Sequence, residues 1–144
     1  MATLTATKIT EVGITDGVLT GCATGGDEFA NTGVEFIRVQ NYHASQNYTV
    51  RVTAQTTSFR HQTYGSLTKS NVDKTIAATG ESGAAGAADK SIYIGPFKQN
   101  AFNDANNKVQ ITYRTGATYA SGSTLNADPA VHKLKIEVLY LDNQ

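Results

Sequence analysis

Val109-Gln110-Ile111-Thr112-Tyr113-Arg114 alternates apolar and polar residues without a break. Successive side chains of a strand point to opposite faces, so a period of two produces one dry face and one wet face. The pattern recurs upstream, where Tyr48, Val50, Val52 and Ala54 alternate with Thr49, Arg51, Thr53 and Gln55. It recurs downstream, where Leu134, Ile136, Val138 and Tyr140 alternate with Lys133, Lys135 and Glu137. Half-buried strands of this kind arise where one sheet packs on another. A helical period is not evident anywhere; the best window, residues 98–107, has Ala101, Phe102 and Ala105 for a single turn, crowded by Asn and Asp. The expected fold is all-β: one antiparallel, jelly-roll-like β-sandwich domain spanning residues 1–144, with an extended N-terminal arm and long loops.

Two further segments are apolar on both faces. In residues 34–39, Val34 and Phe36 point one way and Ile37 and Val39 the other; in residues 92–94, two isoleucines oppose Tyr93. Such strands need cover on both sides, from a loop or from another subunit. The outer face of the last strand begins with Lys133, Lys135 and Glu137 and ends with Leu139 and Leu141. The N-terminal residues 1–20 are Thr-rich and suit either an extended arm or edge strands, with Asp16-Gly17 as a turn signal. Residues 79–89 are rich in Gly and Ala and are expected to be mobile. Residues 115–129 exceed the usual connection length, which marks a functional or a disordered loop.

The composition fits a protein that assembles. Of the 144 residues 40% are hydrophobic and only 17% charged, with Lys plus Arg equal to Asp plus Glu at 12 each. Zero net charge supplies no global field for nucleic acid or anionic lipid, so neither is an expected partner. It also does little to keep molecules apart. With no apolar run at the start to serve as a signal peptide, and no stretch near the ~20 residues of a membrane span, synthesis in the cytoplasm as a soluble chain is expected. Cys22 is the lone cysteine. It reads as a small buried hydrophobe, because no basic residue near it in sequence lowers its pKa.

No catalytic, cofactor-binding or metal-binding residue is expected. Gly25-Gly26-Asp27-Glu28-Phe29 resembles the signature of diguanylate cyclases, but that family is an α/β fold, and the residues before it here read as strand and turn. A Gly-rich turn, with Phe29 entering the core, accounts for it. His43, His61 and His132 have no metal-ligand spacing. Asn103-Asp104-Ala105-Asn106-Asn107 lacks the glycine and distal glutamate of an EF-hand and reads as an Asx-rich turn. The nucleophile elbow of hydrolases and the phosphate loop of nucleotide-binding proteins are both missing. Tyr and Arg residues, including Phe59-Arg60-His61-Gln62-Thr63-Tyr64, suit a protein contact better than a nucleic-acid platform.

The Thr-rich start, residues 31–41 leading into Tyr48-Thr-Val-Arg-Val-Thr53, Ile94-Gly-Pro-Phe97, Phe102-Asn-Asp104 and the closing Leu134-Lys-Ile-Glu-Val-Leu139 together resemble the small β-rich structural proteins of tailed bacteriophages. Those proteins often serve as head decoration (cement) proteins. The resemblance implies a virion protein that binds the outside of the capsid, with the major capsid protein as partner. It further implies a homo-oligomer, a trimer above all, and an N-terminal arm that pairs with the shell. The residues expected at such interfaces are Leu4, Ile9, Phe59, Tyr64, Tyr93, Leu139 and Leu141. Two other roles remain open at this point: a carbohydrate-binding or host-attachment module lined by residues 115–129 and 60–64, and a head–tail connector component.

Overall fold

The structure is a computed structural model. It describes residues 1–10, 19–56, 58–61, 65–79 and 90–141, with residues 58–61 and 65–68 as backbone. In chain order the strands are β1 (Ala2–Leu4), β2 (Ala6–Ile9), β3 (Thr20–Gly21), β4 (Asp27–Ala30), β5 (Glu35–Asn41), β6 (Tyr48–Val52) and β7 (Ser58–His61). They continue as β8 (Gly65–Thr68), β9 (Val72–Ile76), β10 (Lys90–Ile94), β11 (Lys108–Thr115), β12 (Ser123–Thr124) and β13 (Leu134–Leu141). Two single-turn helices, α1 (Gln99–Phe102) and α2 (Pro129–His132), interrupt them.

The strands form two packed sheets, as the alternating sequences require. One runs β1-β4-β11-β6-β9, with β12 on β11; the other runs β10-β5-β13-β2, with β3 also on β13. β7 and β8 make a separate hairpin. In the first sheet Ile111 stands opposite Val52 and Tyr113 opposite Val50, all facing the interior. In the second, Ile136 stands opposite Val39 and Val138 opposite Ile37. These side chains are almost fully buried. Each contributes about 1.5–3 kcal/mol relative to an exposed position. Phe97 sits between Phe29 and Phe102, with ring centroids 5.9 and 5.5 Å away, and closes one end of the core. α1 is the single turn that Ala101 and Phe102 suggested, and both are buried. α2 was not anticipated, although Asp128 before Pro129 is a helix-start signal; Asp128 caps it by accepting from Ala130 N–H.

Antiparallel ladders dominate, but the N-terminal residues pair in parallel. β1 lies alongside β4 and β2 alongside β13, so the chain steps from one sheet to the other at Thr5. Of the two forms open to these residues, the chain takes edge strands. The turn signal at Asp16-Gly17, and the expected mobile loop beyond Thr79, lie outside the described residues. Among the described residues no helix is long and apolar enough to cross a membrane.

Gly25-Gly26 makes the expected turn, closed by Gly26 N–H donating to the Ala23 carbonyl at 2.9 Å. Gly26 has φ +87°, and a Cβ there would sit 2.4 Å from the Ile111 carbonyl oxygen. Only glycine fits. Asp104 accepts from the backbone of Asn106 and Lys108, and its other oxygen from Gln110, which makes an Asx turn of this segment.

Candidate interaction surface

Each sheet turns an outer face to its surroundings, and the two faces differ. The first sheet's is polar and internally satisfied. Arg51 grips Asp73 with two 2.7 Å hydrogen bonds. Lys108 pairs with Glu28, which also accepts from Thr3 at 3.0 Å. The long 115–129 loop folds back on this face. Its Tyr119 ring lies 3.7 Å beneath the Arg51 guanidinium, and its hydroxyl bonds Thr112 at 2.6 Å. The one aromatic of that loop is thereby occupied.

On the second sheet the outer face is apolar at one end. Alternation places Tyr93 on β10, Phe36 and Arg38 on β5, Leu139 and Leu141 on β13, and Ile9 on β2 on this side. Tyr93 faces Arg38 across the ladder, and Arg38 faces Glu137 with a 3.0 Å ion pair. One row nearer the apolar end, Leu139 lies between Phe36 and Thr7; next to it Leu141 is registered with Ile9. Phe36 and Tyr93 rings stand 6.3 Å apart. Tyr93 is 63% exposed and Leu141 56%. Phe36 and Ile9 are half-buried.

Of the residues expected at interfaces, the fold brings Ile9, Tyr93, Leu139 and Leu141 onto this one face. Leu139 is only 4% exposed, although it lies on this outer face and outside the core cluster. Leu4 sits on the opposite sheet in β1, where it is half-buried and packs against the core. Phe59 is placed in β7 opposite Leu67, with its side chain outside the described residues; Tyr64 lies outside them altogether. Sequence reasoning did not single out Phe36 or the Arg38–Glu137 pair as surface features. The two-faced apolar pattern of residues 34–39 was the available signal for Phe36.

A second cluster is buried between the sheets. Cys22, Asp27, Tyr113 and His132 are each at most 4% exposed. The Tyr113 hydroxyl donates to Asp27 Oδ2 at 2.7 Å, and Ala23 N–H reaches the same oxygen at 3.1 Å. His132 Nδ1 accepts from Leu134 N–H at 3.0 Å, which places its proton on Nε2. Nε2 turns toward the Cys22 backbone without completing a hydrogen bond. Burial raises the Cys22 thiol and Asp27 above their usual ranges and lowers His132. Burial thus disfavours the charged form of each of these groups, Tyr113 included. An activated thiolate–imidazolium pair needs the opposite shifts. The long-range approach of His132 to Cys22 was beyond the reach of sequence, but Cys22 is the small buried residue it was expected to be. Among the described residues no group of His, Cys, Asp or Glu is arranged to hold a metal ion.

No family model, curated protein or solved structure matches the chain.

Proposed function

We propose that this protein is a structural component of a bacteriophage particle: a decoration, or cement, protein that binds the outside of the capsid and stabilises it. The carrying observation is the asymmetry of its two outer faces. One is polar and satisfied within the chain; the other exposes Tyr93 and Leu141 beside Phe36 and Ile9. Contiguous apolar surface of this kind marks a site of protein contact. The partner is the major capsid protein, and the assembled form is a homotrimer seated where several shell subunits meet. Contacts to several subunits at once hold the protein in place even where each is weak. A near-neutral charge balance favours such close packing over mutual repulsion.

The test uses purified particles stripped of this protein. Added back, it co-sediments with the shells and raises the temperature at which they release DNA. The substitution Leu141→Asp leaves the monomer folded and abolishes both effects. Shells that neither bind the wild-type chain nor gain heat resistance from it overturn the reading.

A further inference from the structure

On the side of the sandwich opposite β1 and β2, the two sheets end in β9 and β10, and a groove opens between them. Among the described strands β9 pairs only with β6, and β10 only with β5. Among the described residues both therefore leave one edge without a strand partner. The groove holds a cavity of about 300 Å³ lined by Ile94, Phe97 and Phe102, with Lys69, Lys74 and Tyr93 also on its wall. Ile94, Phe97 and Phe102 are buried core residues, so the groove reaches the hydrophobic interior.

Among the described residues that line this groove, the charges are of one sign. Lys74 shares the core-facing side of β9 with Val72 and Ile76, which puts its ammonium at the mouth of the sandwich. The Lys69 ammonium sits 4.9 Å from the Phe102 ring centroid. Lys90 opens β10, and Lys98 follows Phe97 in the chain. None of these four has a carboxylate partner among the described residues. The acid adjoining Lys74, Asp73, points the other way and is held by Arg51.

We propose that this groove binds an extended, acidic segment of a partner protein, which adds a strand at the open edge, seats one apolar side chain in the cavity and sets carboxylates against Lys69 and Lys74. Strand addition draws affinity from backbone hydrogen bonds and selectivity from the pockets beside them. The lysines decide the occupant. A second copy of this chain would bring the same lysines to the same edge, and its N-terminal strands Ala2–Leu4 and Ala6–Ile9 contain no acid. Like charges on facing edges repel, so the site rejects self-pairing and accepts a strand of opposite sign. The inference rests on the docking role above only in identifying the partner as a shell subunit.

The probe is a blocked heptapeptide with a central leucine flanked by three glutamates on each side. Its lysine-flanked counterpart and oligothymidylate serve as comparisons. In amide NMR spectra the acidic peptide is expected to shift resonances of β9, β10 and residues 95–97 alone. Lys69→Glu with Lys74→Glu is expected to weaken binding at least about tenfold, the loss of roughly 1.4 kcal/mol, with the remaining spectrum unchanged. Absence of shifts at about 1 mM peptide, where even millimolar affinity registers, overturns the proposal. So does binding that survives the charge reversal, or equal binding of the lysine peptide or the oligonucleotide. The two readings fail separately. Shell binding that persists in the reversed variant removes this groove and leaves the decoration role; peptide binding without shell binding does the converse.

Discussion

The Tyr113 hydroxyl donates to Asp27 Oδ2 at 2.7 Å, diagonally across the ladder that pairs β11 with β4. The other carboxylate oxygen, Oδ1, is buried and unpartnered among the described residues. Burial raises Asp27 above the usual carboxyl range, and the bonds from Tyr113 and Ala23 offset only part of that rise. The folded state therefore binds this proton more tightly than the unfolded chain does. Its contribution to stability is fully present below the ordinary carboxyl value and is lost as pH climbs through the raised one. Urea unfolding across this range should show that decline. Asp27→Asn should remove it, and Tyr113→Phe should cost about 1–3 kcal/mol where Asp27 is ionised.

Glu35 gives the opposite slope. Burial acts to raise it, but the Thr32 hydroxyl and the backbone N–H groups of Thr32, Gly33 and Val34 all donate to its carboxylate, and the net shift is downward. Its stabilisation is present above the ordinary carboxyl value and disappears as pH falls through the lowered one. Glu35→Gln should reduce stability at neutral pH by about 1–3 kcal/mol. The same substitution should flatten the acid limb of the unfolding curve.

Leu139 and Leu141 share one face of β13 and should behave differently. Leu139→Ala removes a buried side chain and is expected to cost about 2–5 kcal/mol. Leu141→Ala alters an exposed one and should stay within about 0.5 kcal/mol. Denaturant midpoints on the isolated chain separate the two. Equal losses would mean that Leu141 is part of the core.

Two glycines with positive φ give a paired test of close approach. At Gly116 (φ +110°) an added Cβ meets nothing nearer than Gly122 Cα at 3.7 Å, so Gly116→Ala carries only the conformational penalty. That is about 1–3 kcal/mol. Gly26→Ala adds a collision with the Ile111 carbonyl and must displace β11 or the turn. Its melting temperature should fall further than that of Gly116→Ala.

The ladders of β6, β11 and β13 were legible because alternation alone specifies which side chains go inside. Ile37 and Val39 were placed on one face of β5 for the same reason. Glu35 and Asn41 share that inward face, and no hydropathy pattern reveals them: each is stabilised by partners that only the folded turn supplies, such as the backbone N–H groups that converge on Glu35. The parallel pairing of β1 and β2 leaves no periodic trace, since a strand's pattern does not say which neighbour it meets. At the candidate surface, Tyr93 and Leu141 could be found as apolar residues on a face that ought to be wet. Leu139 looked identical by that criterion, and its place between Phe36 and Thr7 depends on register across two other strands.

β13 comes after all the strands it joins, yet it lies in the interior of its sheet, between β5 and β2. The opening residues can settle on that sheet only once residues 134–141 have been made. Most native pairings thus span long stretches of chain, which slows folding. A ribosome that stalls early releases a fragment without a finished second sheet. Such a fragment lacks the outer face that β13 completes with β5 and β2, so that face exists only on a finished chain.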